Sequence, residues 1–231
     1  MDEQTNPVVA AFDLDGTLTE GGSVFPWLKS IAGRGRTWRA ALSLAVPLTI
    51  GAIRSSQWAD NAKERLFKKL LAGLDEQTVA TQSRDFALEH LEHEGRAALL
   101  ARLAWHREQG HDVVLVSASP QLYVDVMTEE LEANGGLGTR LAVDPRGRLT
   151  GGYLGKNCRG TEKMRRLDEW IASHHYATPP VIFAYGNSRG DRRMLSGATH
   201  PFNVGKLGVL GTLRRFPRLG ATTEEAPSND A

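Results

Sequence analysis

The sequence has little cysteine, little charge imbalance and no long apolar run, and each shortage excludes a class of protein. Its one cysteine, Cys158, rules out an intrachain disulfide and a cysteine-rich metal site. The 28 basic and 27 acidic side chains leave a formal charge of +1, which gives no basis for nucleic-acid binding. The least polar stretch, 40–53, also contains Pro47 and is too short to span a bilayer, so we predict a buried helix there.

Both ends of the chain are polar. The first residues, MDEQTNP, contain neither the basic nor the apolar segment of a secretory signal, so we expect a cytoplasmic protein. The last residues, 221–231, are small, polar and acidic, which predicts a disordered tail. The length between them is sufficient for one substantial core with a smaller insert.

Short apolar runs alternate with helical patterns through most of the chain. The predicted strands are 7–15, 112–119 and 181–188, with weaker candidates at 141–144 and 199–204. Helical patterns at 96–110 and 161–175 lie between them. Strands that alternate with helices predict an α/β protein with a parallel sheet covered on both faces.

Residues 21–94 interrupt this alternation. They contain no convincing strand, and the stretches 59–73 and 75–94 have amphipathic helical patterns. Gly73 would end the first helix and Asp75 would cap the second. We therefore predict a helical insertion at 21–94.

The predicted core then consists of residues 1–20 and 95–220, on either side of the insertion. Within the insertion, the basic and apolar stretch 34–54 could contact a membrane or a lipid, but packing against the other helices is the preferred interpretation. His90 and His93 are interpreted as part of a solvated helix face.

Polar side chains end three of the predicted strands. Asp13 and Asp15 end the first, Ser117 the second and Asn187 the third, with Asp191 shortly after. Ligands of an open parallel sheet bind beyond the carboxyl ends of its strands. Because residues two apart on extended backbone point the same way, Asp13 and Asp15 face one space, and two carboxylates so close need a cation or a proton between them.

A helix N-terminus and a lysine complete this set. Ser119 is the predicted N-cap and Pro120 the first residue of a helix whose N-terminus, beside Ser117, suits an anion. Thr161 is the predicted N-cap of a later helix, so Lys163 falls in the first turn of that helix. A cation at this end of a helix is unfavourable for the helix dipole, so we interpret Lys163 as a residue that binds a ligand. Together these residues predict a magnesium-assisted phosphate site.

Four motifs, in order and spacing, resemble those of the haloacid dehalogenase superfamily. They are DLDGT at 13–17, VVLVSAS at 113–119, GTEK at 160–163 and YGNSRGD at 185–191. The first is the most specific, since D-x-D-G-T is expected by chance in roughly one chain of this length in several hundred. The insertion resembles the C1 cap of the phosphoserine-phosphatase-like branch, subfamily IB. The resemblance implies an α/β fold with a Rossmann-like parallel sheet and an all-helical C1 cap.

The same resemblance implies a Mg²⁺-dependent phosphatase acting on a small phosphomonoester through an aspartyl-phosphate intermediate. Asp13 would be the nucleophile, and Asp15 the general acid and base. The remaining implied roles are phosphate binding by Ser117, Ala118 and Lys163, and metal binding by Asp13, the backbone carbonyl of Asp15, Asn187 and Asp191. For Asp191 the resemblance leaves two roles open, which are to hold a water molecule at the metal and to orient Lys163.

Departures from the family pattern leave the substrate open. Relatives commonly have aspartate at the position of Asn187, which keeps an oxygen ligand but carries no charge. Phosphoserine phosphatases also have a glutamate that binds the substrate amine. Here Gly22 stands near that place and Glu20 is too close to the first motif, which argues against phosphoserine itself. Lys63 and Arg65 could reach an anionic group of the substrate or could pair on the helix surface.

Four functions remain open at this point. A phosphoserine- or histidinol-phosphate-like substrate is preferred, and a lipid-phosphate phosphatase or a catalytically silent regulatory protein is the alternative. A response-regulator receiver is disfavoured, because it has neither the helical insertion nor the D-x-D-G-T turn. We expect a small phosphorylated metabolite as partner, and neither a nucleic acid nor a membrane, while the sequence gives no indication of oligomeric state.

Overall fold

A computed structural model describes residues 6–51, 56–206 and 213–219 of the chain. The predicted tail at 221–231 and the last residues of the apolar stretch 40–53 lie outside them. None of the helices in the described ranges is long and apolar enough to cross a membrane.

Five parallel strands form the main sheet. They are β1 (Val8–Phe12), β2 (Asp112–Pro120), β3 (Gly135–Thr139), β6 (Val181–Gly186) and β7 (His200–Asn203), in the order β3-β2-β1-β6-β7. Strands β4 (Leu141–Val143) and β5 (Leu149–Tyr153) pair separately and antiparallel. The central strand β1 has the sequence VVAAF and is buried, as expected where helices cover both faces of a parallel sheet. The predicted α/β fold class is confirmed.

The helices fall into two groups. Those of the predicted insertion are α1 (Val24–Ala32), α2 (Arg34–Gly51), α3 (Ser56–Leu71) and α4 (Glu76–Glu94), and every element described between residues 21 and 94 is a helix. The others are α5 (Ala97–Glu108), α6 (Gln121–Glu130), α7 (Thr161–Ser173) and α8 (Arg192–Gly197), preceded by a 3-10 turn at Arg189–Asp191.

Helix ends test the capping predictions. Asp75 caps α4 as predicted, because its side chain accepts a hydrogen bond from the N–H of Thr78 at 2.8 Å. The other two predicted N-caps are wrong by one residue. Strand β2 continues to Pro120, which precedes α6, so the Ser119 hydroxyl is free to bond elsewhere. Helix α7 begins at Thr161, so Gly160 occupies its N-cap position.

Aromatic side chains join the insertion to the core. Trp27 of α1 contacts Phe67 of α3 and Tyr123 of α6, with ring centroids 5.8 and 5.5 Å apart. Such pairs add about 0.5–1.5 kcal/mol beyond the burial of their area. His90 of α4 stacks on Phe86 and is buried, so its predicted place on a solvated face is wrong, because the aromatic cluster covers that side of the helix. The helices of the insertion and one face of the sheet therefore share an apolar core.

Helix α2 is less buried than the apolar sequence at 40–53 predicts. Ala40 and Leu44 are buried, whereas Leu42 is 67% exposed and Trp38, one turn earlier, is 52% exposed. The described part of α2 thus buries only one face.

Candidate active site

Asp13 lies at the carboxyl end of β1 and is almost fully buried. Its Oδ1 accepts a hydrogen bond from Lys163 Nζ at 2.5 Å, and its Oδ2 accepts one from Thr17 Oγ1 at 2.9 Å. Its backbone N–H donates to the carbonyl of Tyr185 at 3.0 Å, which extends the pairing of β1 with β6 by one residue. The carboxylate is therefore fixed at the centre of the sheet edge.

Lys163 joins Asp13 to Asp191. It lies in the first turn of α7, is 2% exposed, and its Nζ also donates to Asp191 Oδ1 at 2.6 Å. Burial by itself would lower the pKa of Lys163, but the charges of the two aspartates outweigh burial and raise it. Burial and the Asp191 charge raise the pKa of Asp13 to about 7, although Lys163 opposes this shift. Two carboxylates around one ammonium leave a net negative, buried cluster that a cation would stabilise.

Asp191 already has partners on both carboxylate oxygens. In addition to the Lys163 contact, its Oδ2 accepts hydrogen bonds from Ser188 N–H at 2.9 Å, Ser188 Oγ at 2.7 Å and Asn187 N–H at 3.2 Å. This loop depends on Gly186, because a Cβ there would lie 2.6 Å from the Cβ of Asp191. The contacts fix the carboxylate that faces Lys163.

Asn187 has the opposite property. Its Oδ1 is buried and has no hydrogen-bond partner among the described residues. Its side chain packs on the turn after Asp15, where Gly16 has a φ of +76° and an added Cβ would lie 1.9 Å from Asn187 Nδ2. An unpaired, buried amide oxygen beside the Asp13 turn fits a divalent cation that prefers oxygen ligands.

The described side chains contain no cluster of three or more His, Cys, Asp or Glu residues that could hold a metal by themselves. A magnesium site here would therefore combine carboxylate oxygens with amide and backbone oxygens. That donor set agrees with the preference of Mg²⁺ for few protein ligands.

Ser117 and Ala118 lie in β2, just beyond the part of this strand that pairs with β1. Phe12 is opposite Leu115 in the register, and Ser117 Oγ accepts a hydrogen bond from Ser119 N–H at 3.1 Å. The Ala118 carbonyl accepts a hydrogen bond from Lys63 Nζ at 2.5 Å. The second-motif residues predicted for phosphate binding thus lie near the end of β2, where the insertion contacts the Ala118 backbone through Lys63.

Lys63 reaches the core and does not pair on the helix surface. Besides the Ala118 carbonyl, its Nζ contacts Asn157 Oδ1 at 3.2 Å, and burial lowers the pKa of Lys63 to about 8 although Asp15 and Asp60 oppose the shift. Arg65, the other candidate in this helix, is exposed.

Asp15 is held from two sides. Its Oδ1 accepts a hydrogen bond from Ser23 N–H and its Oδ2 accepts one from Ser119 Oγ, both at 2.8 Å. The intervening Leu14 is buried in the apolar core, and the Asp15 charge contributes to raising the pKa of Asp13. The two aspartates therefore interact, as their spacing predicted.

Arg96 is a site residue that the sequence did not indicate. Its Nη1 donates to the carbonyls of Gly16 at 2.7 Å, and of Thr17 and Val204 at 3.2 Å, so it clamps the turn that follows Asp15. No local signal could have identified it, because its partners lie about eighty residues earlier and a hundred residues later in the chain.

Glu20 pairs with two basic side chains of the protein. Its carboxylate contacts Lys206 at 2.8 Å and Arg96 at 3.8 Å, and the hydrogen bond from Lys206 lowers the pKa of Glu20. It therefore has other partners than a substrate amine.

Comparisons with known proteins identify the family and the fold of the chain. The family model for haloacid dehalogenase-like hydrolases matches residues 10–196. Protein CicA of Caulobacter vibrioides is 32% identical over 190 residues, which are 82% of each chain. A solved protein of unknown function from Bordetella pertussis Tohama I has a TM-score of 0.76 at 20% identity, over 93% of this chain and 99% of that one. A phosphoserine phosphatase from T. onnurineus has a TM-score of 0.59 at 22% identity, over 95% and 92% of the two chains. The chain belongs to the haloacid dehalogenase-like hydrolase family, with a fold that solved phosphoserine phosphatases share.

Proposed function

We propose that the protein is a cytoplasmic, Mg²⁺-dependent phosphatase that hydrolyses a small phosphomonoester through an aspartyl phosphate on Asp13. The observation that carries the proposal is the buried cluster of Asp13, Lys163 and Asp191 at the carboxyl end of the central strand. A carboxylate held at the sheet edge by an ammonium group is suited to attack an anion, because the lysine offsets the charge that approaches.

The metal ligands would be the Asp13 carboxylate, the Asp15 carbonyl and Asn187 Oδ1, whose lack of a partner among the described residues supports this role. When bound, Mg²⁺ would supply positive charge next to the phosphate and the carboxylates. The engaged oxygens of Asp191 favour the interpretation that it orients Lys163.

The reaction then has two steps, and Asp15 acts in both. An Asp13 oxygen attacks phosphorus, and the bond between phosphorus and the ester oxygen breaks while Asp15 gives that oxygen a proton. Asp15 next takes a proton from a water molecule, which attacks phosphorus and releases inorganic phosphate with Asp13 restored. Ser117, the backbone at Ala118 and Lys163 hold the phosphate oxygens during both steps.

The helical insertion at 21–94 would act as a cap that excludes water and recognises the rest of the substrate. Its contact through Lys63 with the Ala118 carbonyl, near the end of β2, supports this role. Because Glu20 is engaged by Lys206 and Gly22 has no side chain, we favour a phosphomonoester other than phosphoserine, such as one related to histidinol phosphate.

A lipid phosphate is the second candidate substrate. The observation in its favour is the exposed face of α2, where Trp38 and Leu42 are 52% and 67% exposed and Arg34, Arg36 and Arg39 are also exposed. Aromatic and basic side chains on one amphipathic helix are typical of contact with an anionic lipid surface.

Phosphate release from a panel of substrates tests the proposal. The panel contains phosphoserine, histidinol phosphate, p-nitrophenyl phosphate and phosphatidic acid in detergent, each with Mg²⁺ and with EDTA. We expect turnover of at least one substrate that EDTA abolishes and added Mg²⁺ restores. Absence of turnover in a folded protein that contains Mg²⁺ would favour the silent regulatory alternative, and turnover that EDTA leaves unchanged would contradict the metal assignment.

A further inference from the structure

Ser23 makes contacts that its position in the chain does not predict. It occupies the N-cap position of α1, where a serine hydroxyl usually accepts a hydrogen bond from the helix backbone and adds about 1 kcal/mol of stability. Ser23 makes no such bond. Its Oγ lies 3.1 Å from Ser119 Oγ and 2.7 Å from Tyr123 Oη, and its backbone N–H donates to Asp15.

The donor and the acceptor of each hydrogen bond among the three hydroxyl groups can be assigned, because each hydroxyl carries a single proton. A carboxylate only accepts, so Ser119 gives its proton to Asp15 Oδ2 at 2.8 Å. Ser119 must then accept from Ser23, and Ser23 must accept from Tyr123. All three side chains are fully buried. Burial raises the pKa of Tyr123 well above its usual value, so the Tyr123 hydroxyl keeps its proton and can donate it to the hydrogen bond with Ser23.

The result is a directed series of hydrogen bonds from Tyr123 through Ser23 and Ser119 to Asp15, which we call the hydroxyl chain. It joins three elements, since Tyr123 lies on the core helix α6, Ser119 at the end of β2 and Ser23 at the first helix of the insertion. Together with the Ser23 N–H, it engages both Asp15 oxygens, and each oxygen keeps a second lone pair for a reacting group.

We infer that Ser119, Ser23 and Tyr123 are positioning residues, which hold the Asp15 carboxyl group in its orientation for proton transfer and tie that orientation to the entry of the insertion. This inference rests on the proposed function, in which Asp15 gives a proton to the leaving oxygen. A carboxyl group with one donor removed can rotate about its last bond, since such torsions are broad and roughly two-fold. Loss of the chain should therefore slow proton transfer and leave nucleophilic attack by Asp13 intact.

The test compares two leaving groups in the holoenzyme with Mg²⁺. Ser119→Ala should lower kcat/KM for an alkyl phosphate about tenfold, as expected for loss of a hydrogen bond to a charged group. For p-nitrophenyl phosphate the loss should stay below about threefold, because this leaving group needs little protonation. Ser119→Thr, which keeps a hydroxyl at this position, should restore most of the alkyl phosphate activity.

A double-mutant cycle separates positioning from a general structural effect. In the Asp15→Asn background, Ser119→Ala should cause no further loss on the alkyl phosphate, because the group that it positions is already absent. Ser83→Ala is the matched control, since Ser83 is buried in α4 and bonded to Trp27 Nε1 and the Val79 carbonyl, away from Asp15. We expect this control to leave the ratio of the two kcat/KM values unchanged.

Equal losses on both substrates, or losses that add to those of Asp15→Asn, would overturn the inference. If Ser119→Ala fails to fold, Tyr123→Phe and Ser23→Ala provide the same comparison with the aromatic ring and the backbone N–H retained. The proposed function has a separate point of failure. An active Asp13→Asn variant would contradict the phosphatase mechanism. If Asp13→Asn is inactive but Ser119→Ala lowers kcat/KM equally for both leaving groups, only the role of the hydroxyl chain is contradicted.

Discussion

Two regions around the first motif hold its aspartates in different ways. Asp13 belongs to an ionic cluster with Lys163 and Asp191, while Asp15 receives hydrogen bonds from neutral donors of Ser119 and Ser23. An ammonium partner favours the ionised form of Asp13 and opposes the burial that raises its pKa to about 7, and the ionised carboxylate is the form that acts as a nucleophile. Neutral donors fix the position of a carboxyl group without supplying a full opposite charge, which suits a group that gives and takes a proton.

The two regions also differ in the parts of the fold that they use. The ionic cluster draws on β1, α7 and the loop after β6, all in the core. The hydroxyl chain includes Ser23, at the first helix of the insertion. We infer that the nucleophile is assembled by the core alone, whereas the proton-transfer group depends on how the insertion is seated.

The largest expected effect comes from removing the charge of Asp13, which belongs to the ionic cluster. Asp13→Asn should abolish turnover, because an amide does not attack phosphorus, while the fold is retained and its Tm is unchanged or higher as the buried cluster loses a repulsive charge. Phosphate release and thermal unfolding check this. Asp75→Asn, which keeps a good N-cap on the exposed end of α4, is the control. Activity of Asp13→Asn within tenfold of the wild type would contradict the assignment of the nucleophile.

The next effect tests Asp15 directly. Asp15→Asn should slow turnover of an alkyl phosphate on the order of 10²–10⁴-fold, the usual loss for a general acid or base. The kcat/KM for p-nitrophenyl phosphate should fall much less, because its leaving oxygen is weakly basic. Steady-state kinetics on both substrates check this, and equal losses in kcat/KM would speak against the role of Asp15 in the first step.

Stability provides the third comparison, between a lysine that contacts two carboxylates and a lysine that donates to neutral groups. Lys163→Met leaves Asp13 and Asp191 without their counter-ion and should lower the free energy of unfolding by about 3–5 kcal/mol. Lys63→Met is the matched control, because the hydrogen bonds of Lys63 to described residues go to two neutral groups, the Ala118 carbonyl and the Asn157 amide. Its loss should be about 1–3 kcal/mol.

Urea unfolding of both variants in the absence of Mg²⁺ measures this difference. Added Mg²⁺ should recover part of the stability of Lys163→Met, because a cation can replace the missing positive charge. Equal losses in the two lysine variants would contradict the ionic character of the cluster.

The sequence predicted the ionic cluster better than the hydroxyl chain for a physical reason. Asp13 follows β1, Lys163 lies in the first turn of α7 and Asp191 lies in the turn after β6. Local patterns identify such positions, and the confirmed family resemblance supports them. Ser23 and Ser119 are ninety-six residues apart, and nothing in their local sequence distinguishes them from turn or capping serines. Their contact depends on how the insertion packs on the core.

The same reason explains which parts of the fold were predicted. Strands β1, β2 and β6 coincide with apolar runs that the pattern indicates, as do α3 and α4 with amphipathic stretches. Strand β3 was missed because its sequence, GGLGT, has almost no apolar pattern. Glycine is needed there because Trp170 packs too closely on Gly135, and Thr128 too closely on Gly136, for either position to carry a side chain. It is a strand because β2 offers it an edge, which local sequence does not encode.

The smallest effect concerns the charge that the family usually places at Asn187. Asn187→Asp should tighten Mg²⁺ binding, because a carboxylate is a better ligand for this hard cation than an amide. It should also raise KM about tenfold, since the added charge faces a dianionic phosphate and unit charges 4 Å apart interact by about 1–4 kcal/mol in a hydrated site. Asn134→Asp is the control, because Asn134 is exposed just before β3, at the opposite end of the strands from the site, and the hydrogen bond that its Oδ1 accepts from Val113 N–H can also be accepted by a carboxylate. The measurement is the Mg²⁺ concentration for half-activation, together with KM for one phosphomonoester. If half-activation is unchanged or requires more Mg²⁺ in Asn187→Asp, Asn187 is not a metal ligand, and its buried oxygen must serve the substrate or the turn at Gly16 instead.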